Sequence, residues 1–186
     1  MSFACHAPAG PLGEHVVDIW TCALPVGAVG PVERVLPSGT VELVINLRHD
    51  DVRVAARGEP ARPGRYAGPV VSGTYAEPFV IDPRWHTEML GVHFRPGGAS
   101  RVLGVPAAEL RGAHVELAAL WGAAAAADLH ERACAAREPG QRLAAVARVL
   151  HDRLARSRAR HTPVPAALRL FGPSGTAAPG RCVLWR

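Results

Sequence analysis

The sequence predicts an α+β fold: an antiparallel, barrel-like (cupin-like) sheet followed by a small helical subdomain. Three observations carry that expectation. Between residues 34 and 95, short β-branched and aromatic runs alternate with Gly, Pro and Asp turn residues, the pattern of a sandwich or barrel of short strands. At 96–98 a Pro-Gly-Gly stop ends the pattern, because proline removes a ladder donor and glycine accepts turn conformations. From residue 99 onward Ala, Leu and Val recur at helical spacing.

Each element follows from its residues. Residues 1–33 read as an irregular lead with one ordered segment at 16–22 (VVDIWTC), short helix or strand, broken afterwards by Pro25, Gly27, Gly30 and Pro31. Residues 40–47 (TVELVINL) are mostly apolar and read as a well-buried strand. His49, Asp50 and Asp51 make a turn, and the alternating residues 51–56 return as its hairpin partner. Residues 58–64 form a loop. Residues 69–75, 79–81 and 88–94 are further strands, separated by turns at 76–78 and 82–83. Residues 99–103 make one short helix and 106–110 another, with Pro106 suited to a first turn. Residues 115–137 read as Ala-rich helix anchored by Leu117, Leu120, Trp121 and Leu129. The last helix runs over 141–158. In it Leu143, Ala147, Leu150 and Leu154, with Val146 beside them, form an apolar stripe. That stripe serves either core packing or a dimer seam.

The chain has 186 residues, 48% of them hydrophobic, long enough to bury a core and too apolar for wholesale disorder. Its basic residues are all arginine, which fits a GC-rich bacterial gene. The segment at 1–130 has 10 Arg against 13 acids, a balance of −3. Residues 131–186 have 11 Arg against 3 acids, a balance of +8. That basic stretch reads as a solvated helix face or a phosphate footprint. No run of 18 apolar residues marks a membrane span, and the start lacks a secretory signal. A cytoplasmic protein with free thiols at Cys5, Cys22, Cys134 and Cys182 is expected.

Three motifs point further. Residues 91–110 (GVHFRPGGASRVLGVPAAEL) are a strand ending in V-x-F-x-P-G-G-A followed by L-G-V-P-A-x-E-L. Residues 34–47 (RVLPSGTVELVINL) lie upstream. Residues 117–122 (LAALWG) precede the Ala/Leu/Arg-rich helices. In this order they resemble the amino-terminal sensor half of a group of AraC-type transcription regulators, over roughly residues 8–170. The resemblance implies effector binding, dimerisation and transcription regulation, with DNA read by a carboxy-terminal helix-turn-helix domain. On that expectation residues 1–98 are the barrel-like sensor part and 99–160 the helical subdomain with its dimerisation helix. Residues 161–186 are a remnant or frame-shifted tail in place of the DNA-binding domain. Residues 162–171 resemble that domain's opening helix, but the Gly/Pro-rich stretch after Phe171 does not continue it.

The chemistry of the sequence points to binding. Ser38, Ser72 and Ser100 lack a G-x-S-x-G context. There is no phosphate-binding loop, and Asp50-Asp51 sits where a turn favours Asp. His86 and His93 are seven apart without the close H-x-H pair of a cupin metal site. No catalytic residue, metal or cofactor is assigned. The candidate ligand pocket is the barrel interior, with Tyr75, Phe79, Trp85, His93 and Phe94 as wall residues. Arg95 stands either toward an anionic ligand or as a clamp on Glu42 or Glu109. The expected partners are an unidentified small-molecule effector and a second copy of the chain, with no membrane and with DNA only through the missing domain. Two other readings stay open: a stand-alone small-molecule-binding barrel and a cupin-like metalloenzyme.

The expected DNA binding of this chain is weak, salt-sensitive and sequence-blind. Arginine-phosphate contacts carry no base information. Anisotropy titrations at physiological salt, comparing the gene's own promoter with a scrambled duplex, check this. A promoter preference of about a thousandfold, the low end for specific binders, contradicts it.

Overall fold

Side chains alternate from face to face along a strand, and in this chain both faces of the central sheet are apolar. The structure is a computed structural model that describes residues 2–25, 27, 30, 32–55 and 62–157. The expected tail at 161–186, and the loop at 58–64 except for its last residues, lie outside the described residues. Strand β1 (Ser2–His6) passes through a single helical turn, α1 (Gly10–Gly13), into β2 (Val16–Ala23). Then follow β3 (Glu33–Val35), β4 (Glu42–Asn46), β5 (Asp51–Val54), β6 (Gly64–Ala67), β7 (Val70–Ser72), β8 (Phe79–Ile81) and β9 (Glu88–Phe94). The rest is α2 (Ala99–Leu103), a 3₁₀ turn (Ala107–Leu110), β10 (His114–Glu116), α3 (Leu117–Trp121), α4 (Ala123–Ala135) and α5 (Pro139–Arg156).

The main sheet has the order β1-β2-β9-β4-β7-β10, every neighbouring pair antiparallel. Two ribbons, β3–β8 and β5–β6, stand outside it. They are joined to each other by the bridge between Ala55 and Val80. The molecule is therefore α+β, but no closed barrel forms among the described residues. The hairpin expected between residues 40–47 and 51–56 is also absent. Both edges of β4 are taken, by β9 and β7, so β5 turns away and pairs with β6 instead. Asn46 sets that turn. Its Oδ1 accepts from the amides of Arg48 and His49, and its Nδ2 donates to the Asp51 carbonyl.

One face of the sheet packs against the helices. Ile19, Leu43, Ile45, Val71, Leu90, Val92 and Phe94 meet Val102, Leu103, Leu117 and Leu129 there. The opposite face carries Trp20, Cys22, Val44, Val70 and Met89, and meets Val35, Val52, Val54 and Ile81 of the ribbons. Burying one such side chain contributes about 1.5–3 kcal/mol, so the two interfaces together, not the sheet ladder alone, set the stability. The stripe on α5 belongs to the first interface. Leu143, Val146, Leu150 and Leu154 are buried in the chain's own core, with Ala147 packed beside them. Already covered, these side chains serve core packing rather than a dimer seam. Arg142 on the same helix donates to Glu88 at the start of β9 and to the Ala136 carbonyl, which ties α5 to the sheet. No helix among the described residues is long and apolar enough to cross a membrane.

The segment at 115–137 is not one helix. Residues 114–116 pair with β7 as β10, and Gly122, at φ 86°, separates α3 from α4. Strand β1 was not legible in the lead, whereas the junction at 96–98 was. The chain leaves β9, turns at Gly97 with φ 74°, and enters α2 through Gly98 at φ −74°. Gly98 is required for a different reason from Gly97: a Cβ there would lie 2.3 Å from the His15 carbonyl oxygen, which accepts from the Arg95 amide. Gly97→Val is expected to cost about 1–3 kcal/mol through backbone strain. Gly98→Ala is expected to cost a similar amount, about 1–3 kcal/mol, by overpacking against fixed backbone. Urea denaturation of both variants checks this, and an unchanged midpoint for Gly98→Ala would show that the turn has room to yield.

Candidate functional site

Strand register gathers the polar residues of the ribbon-facing side into a single row. Asp18 on β2 is paired with His93 on β9. His93 is also paired with Glu42 on β4, Glu42 with Ser72 on β7, and Ser72 with His114 on β10. Paired residues of antiparallel strands put their side chains on the same face about 5 Å apart, so five strands contribute one side chain each to a continuous line. Asp18 joins it through a β-bulge. The register of β2 shifts between Val16 and Asp18. Val16 therefore lies opposite Phe94 on the helix side and Asp18 opposite His93 on the ribbon side. Re-aiming a side chain in this way is a recognised consequence of a bulge.

The imidazole of His93 lies between two carboxylates. Its Nδ1 is 2.7 Å from Asp18 Oδ1, and its Nε2 is 3.7 Å from Glu42 Oε1. Trp20 Nε1 donates to the same Nε2 at 3.2 Å. The neutral ring therefore carries its proton on Nδ1 and donates it to Asp18. Trp20 reaches His93 by lying across Gly91, its register partner; a Cβ at 91 would sit 2.3 Å from the indole. Burial opposes charging of His93, but the hydrogen bond to Asp18 and the fields of Glu42 and Asp18 outweigh it and hold its pKa above the ordinary value. Burial pushes the Glu42 carboxyl upward, only partly countered by His93 and the Ser38 hydroxyl.

At the other end of the row, His114 Nε2 is 3.4 Å from Ser72 Oγ, and its Nδ1 meets the Tyr75 hydroxyl. Phe79 stands edge-on to the same ring with centroids 4.8 Å apart, and Tyr66 and Tyr75 tilt against it. Burial among these rings pushes the pKa of His114 down to about 4 and that of Tyr75 upward. At neutral pH this end is an uncharged hydrogen-bonding group in an aromatic collar.

A pocket opens between this row and the ribbons, with Glu42, Ser72, His114, Phe79 and Met89 among its walls. Its accessible volume is about 30 Å³, within about 420 Å³ of atom-free space that includes open solvent. The accessible part holds one or two waters. His86, buried at the pocket wall, is already committed: its Nδ1 donates to the Asp82 carbonyl and its Nε2 accepts from the Arg53 amide. Burial lowers its pKa, so it is a neutral structural histidine. Among the described residues no group of three or more His, Cys, Asp or Glu is arranged to hold a metal ion.

Of the six residues expected at the ligand wall, Tyr75, Phe79 and His93 lie on this side of the sheet. Trp85 lies in a neighbouring open cleft of about 530 Å³ lined by charged residues. There it stacks on His49, carries the Arg53 guanidinium 3.3 Å from its ring centre and donates to Asp51 Oδ1 at 2.8 Å. Burial would raise the Asp51 carboxyl, but hydrogen bonds from Arg65, Trp85 and Arg53 hold it below its usual value. Phe94 and Arg95 are corrections. Phe94 faces the helices and is wholly buried in their core, because it alternates with His93. Arg95 is exposed and binds neither Glu42 nor Glu109: its Nε donates to the Gly13 carbonyl at 2.7 Å. Asp18, Trp20, Ser72 and His114 were not anticipated. The available signal was Asp18 and Glu42, charges embedded in otherwise apolar strand runs, which mark a buried polar function.

His114 makes the row sensitive to acid. Its folded pKa, about 4, lies below the ordinary 6.5. The fold excludes the proton, so the stability is fully present above pH 6.5 and is lost as pH falls from 6.5 toward 4. The gap corresponds to a contribution on the order of 3 kcal/mol. His114→Asn is expected to flatten this part of the stability–pH curve relative to the parent chain. Thermal melts from pH 7.5 to 4 check it, and parallel curves for the two proteins contradict it.

Neither a curated protein nor a solved structure matches the chain. The sequence model of a family described as "Domain of unknown function (DUF6597)" matches residues 5–116. That span takes in the main sheet except Ser2, Phe3 and Ala4 of β1, ending at the last residue of β10, together with both ribbons and every residue of the polar row. With more than half of its length covered by that model, the chain belongs to the DUF6597 family.

Proposed function

We propose that this chain is the ligand-sensing and dimerisation part of an AraC-type, DNA-binding transcription regulator, that it binds a small-molecule effector on the ribbon side of the sheet, and that it catalyses no reaction. The observation that carries the reading is the partly open pocket that three members of the in-register polar row, Glu42, Ser72 and His114, line together with apolar walls. Ligand sites have this composition: mostly apolar, with a few convergent polar groups. The resemblance of residues 34–47, 91–110 and 117–122 to sensor halves of such regulators supports it. Those segments contain β4, the second half of β9, α2, the 3₁₀ turn and α3. A dimer, on this reading, uses a surface other than the α5 stripe. A second reading is a small-molecule-binding module that works by itself.

A domain exchange separates the two readings. The chain is joined ahead of the helix-turn-helix half of an AraC-type regulator with a known operator and assayed on a reporter against a metabolite library. The expected outcome is a reporter response to one compound class, abolished by Ser72→Phe, which fills the pocket. A compound that raises the melting temperature of the purified chain without moving the reporter favours the stand-alone module. Strict monomers by light scattering at high concentration, with and without that compound, contradict the dimerisation part.

A further inference from the structure

We propose that the outer edge of β1 is a pairing surface for a second copy of this chain, the two β1 strands running antiparallel about a two-fold axis at Ala4. This rests on the dimerisation proposed above and names its surface. Strand β1 ends the main sheet, and among the described residues no strand lies on its other side. An open edge is usually blunted by a bulge, a proline or a charge. The register of β1 with β2 runs unbroken from Ser2 to His6, and that stretch (SFACH) includes no proline, arginine or acid. The other end of the sheet is tied down instead: Glu116 of β10 accepts from the Ala67 amide of β6.

Ladder geometry fixes what the edge offers. The Leu24 amide, just past β2, donates to the Thr87 carbonyl, just ahead of β9. Backbone groups alternate in direction along an antiparallel strand, so Trp20 and Cys22 also address β9, while Ile19, Thr21 and Ala23 address β1. Their register partners His6, Ala4 and Ser2 address β2 in return. The amides and carbonyls of Phe3 and Cys5 therefore point outward. A two-fold axis at Ala4 sets Phe3 of each copy opposite Cys5 of the other, so every one of these outward groups is met, in two hydrogen bonds per Phe3–Cys5 pair. The side chains agree with this register. Phe3 and Cys5 stand on the ribbon side, in register with Cys22 and Trp20. Both are exposed, and each covers the other's counterpart across the axis. Ala4, on the helix side against the core, meets Ala4 at the close, non-hydrogen-bonded position, where a small side chain fits. The symmetry of an isologous contact supplies this match without a second partner surface, and a copy brings no like charge to the edge.

Disulfide trapping and light scattering on the full chain test the inference. Ala4→Cys, in a chain that also carries Cys5→Ser, Cys134→Ser and Cys182→Ser, is expected to form a covalent dimer on mild oxidation. Its paired Cα atoms would lie about 4.5 Å apart, within the roughly 4.4–6.8 Å that a disulfide spans. With Cys5 and Ala4 kept and only Cys134 and Cys182 replaced, no covalent dimer is expected. In this register the two Cys5 Cα atoms are about 8–9 Å apart, from the strand rise and pair spacing, too far for a disulfide. Phe3→Lys, at an exposed side chain, is expected to weaken the dimer by about tenfold or more in a dilution series. If Ala4→Cys upsets the fold, Phe3→Lys and that series decide alone. Ready linking through Cys5 overturns the register. A dimer that neither links through Ala4→Cys nor responds to Phe3→Lys overturns the edge pairing and leaves dimerisation to another surface. A strict monomer at high concentration overturns both, and slow hydrogen exchange at its Phe3 and Cys5 amides would give the edge to another segment of the same chain.

Discussion

The pairing of β9 with β2 on one side and β4 on the other is the constraint on which the rest of the structure depends. It places Leu90, Val92 and Phe94 against the helices and Met89, Gly91 and His93 against the ribbons. A slip of one residue would exchange the two sets. Charged groups would then enter the helix-side core, where no partner awaits them, and Phe94 would leave it. The register is over-determined, since both apolar interfaces and the Asp18–His93–Glu42 contacts require the same alignment.

The row offsets part of its own burial. Removing carboxylates from water is costly, and a paired imidazole repays this only where the geometry is close. The Asp18–His93 contact at 2.7 Å meets that condition, whereas Glu42 at 3.7 Å does so incompletely. The less fully compensated carboxylate, in the middle of the row, is thus one that lines the pocket. A site that holds a group for a ligand is expected to give up some stability in this way.

The strands that carry the row are also the ones the helices grip. Arg142 of α5 holds Glu88 at the start of β9, and His130 of α4 approaches the Asn46 carbonyl at the end of β4 at 3.2 Å. Glu42 and His93 stand at the opposite ends of those two strands. The helical layer and the polar row are therefore joined by two short, hydrogen-bonded strands rather than by a flexible connection.

The sequence by itself determined the local elements whose signals are local. Residues 88–94 and 79–81 were legible as strands through their β-branched and apolar runs, and 99–103 as a helix. The junction at 96–98 was legible because Pro and paired Gly admit few conformations. The burial of Leu143, Val146, Leu150 and Leu154 followed from their period; of the expected wall residues, Phe79 lines the pocket, whereas Tyr75 and His93 do not line it. Only the tertiary structure decided which strand lies beside which. Pairing partners are long-range, and nothing in residues 51–54 says that β4 has no free edge. For the same reason His114, 72 positions from Glu42 in the sequence and just ahead of an Ala-rich stretch that reads as helix, became a member of the site only once β10 paired with β7. The bulge at Val17 that turns Asp18 toward His93 likewise leaves no mark in composition. Periodicity reports which side of an element is apolar, whereas register, set by the summed packing of two interfaces, decides which polar groups meet.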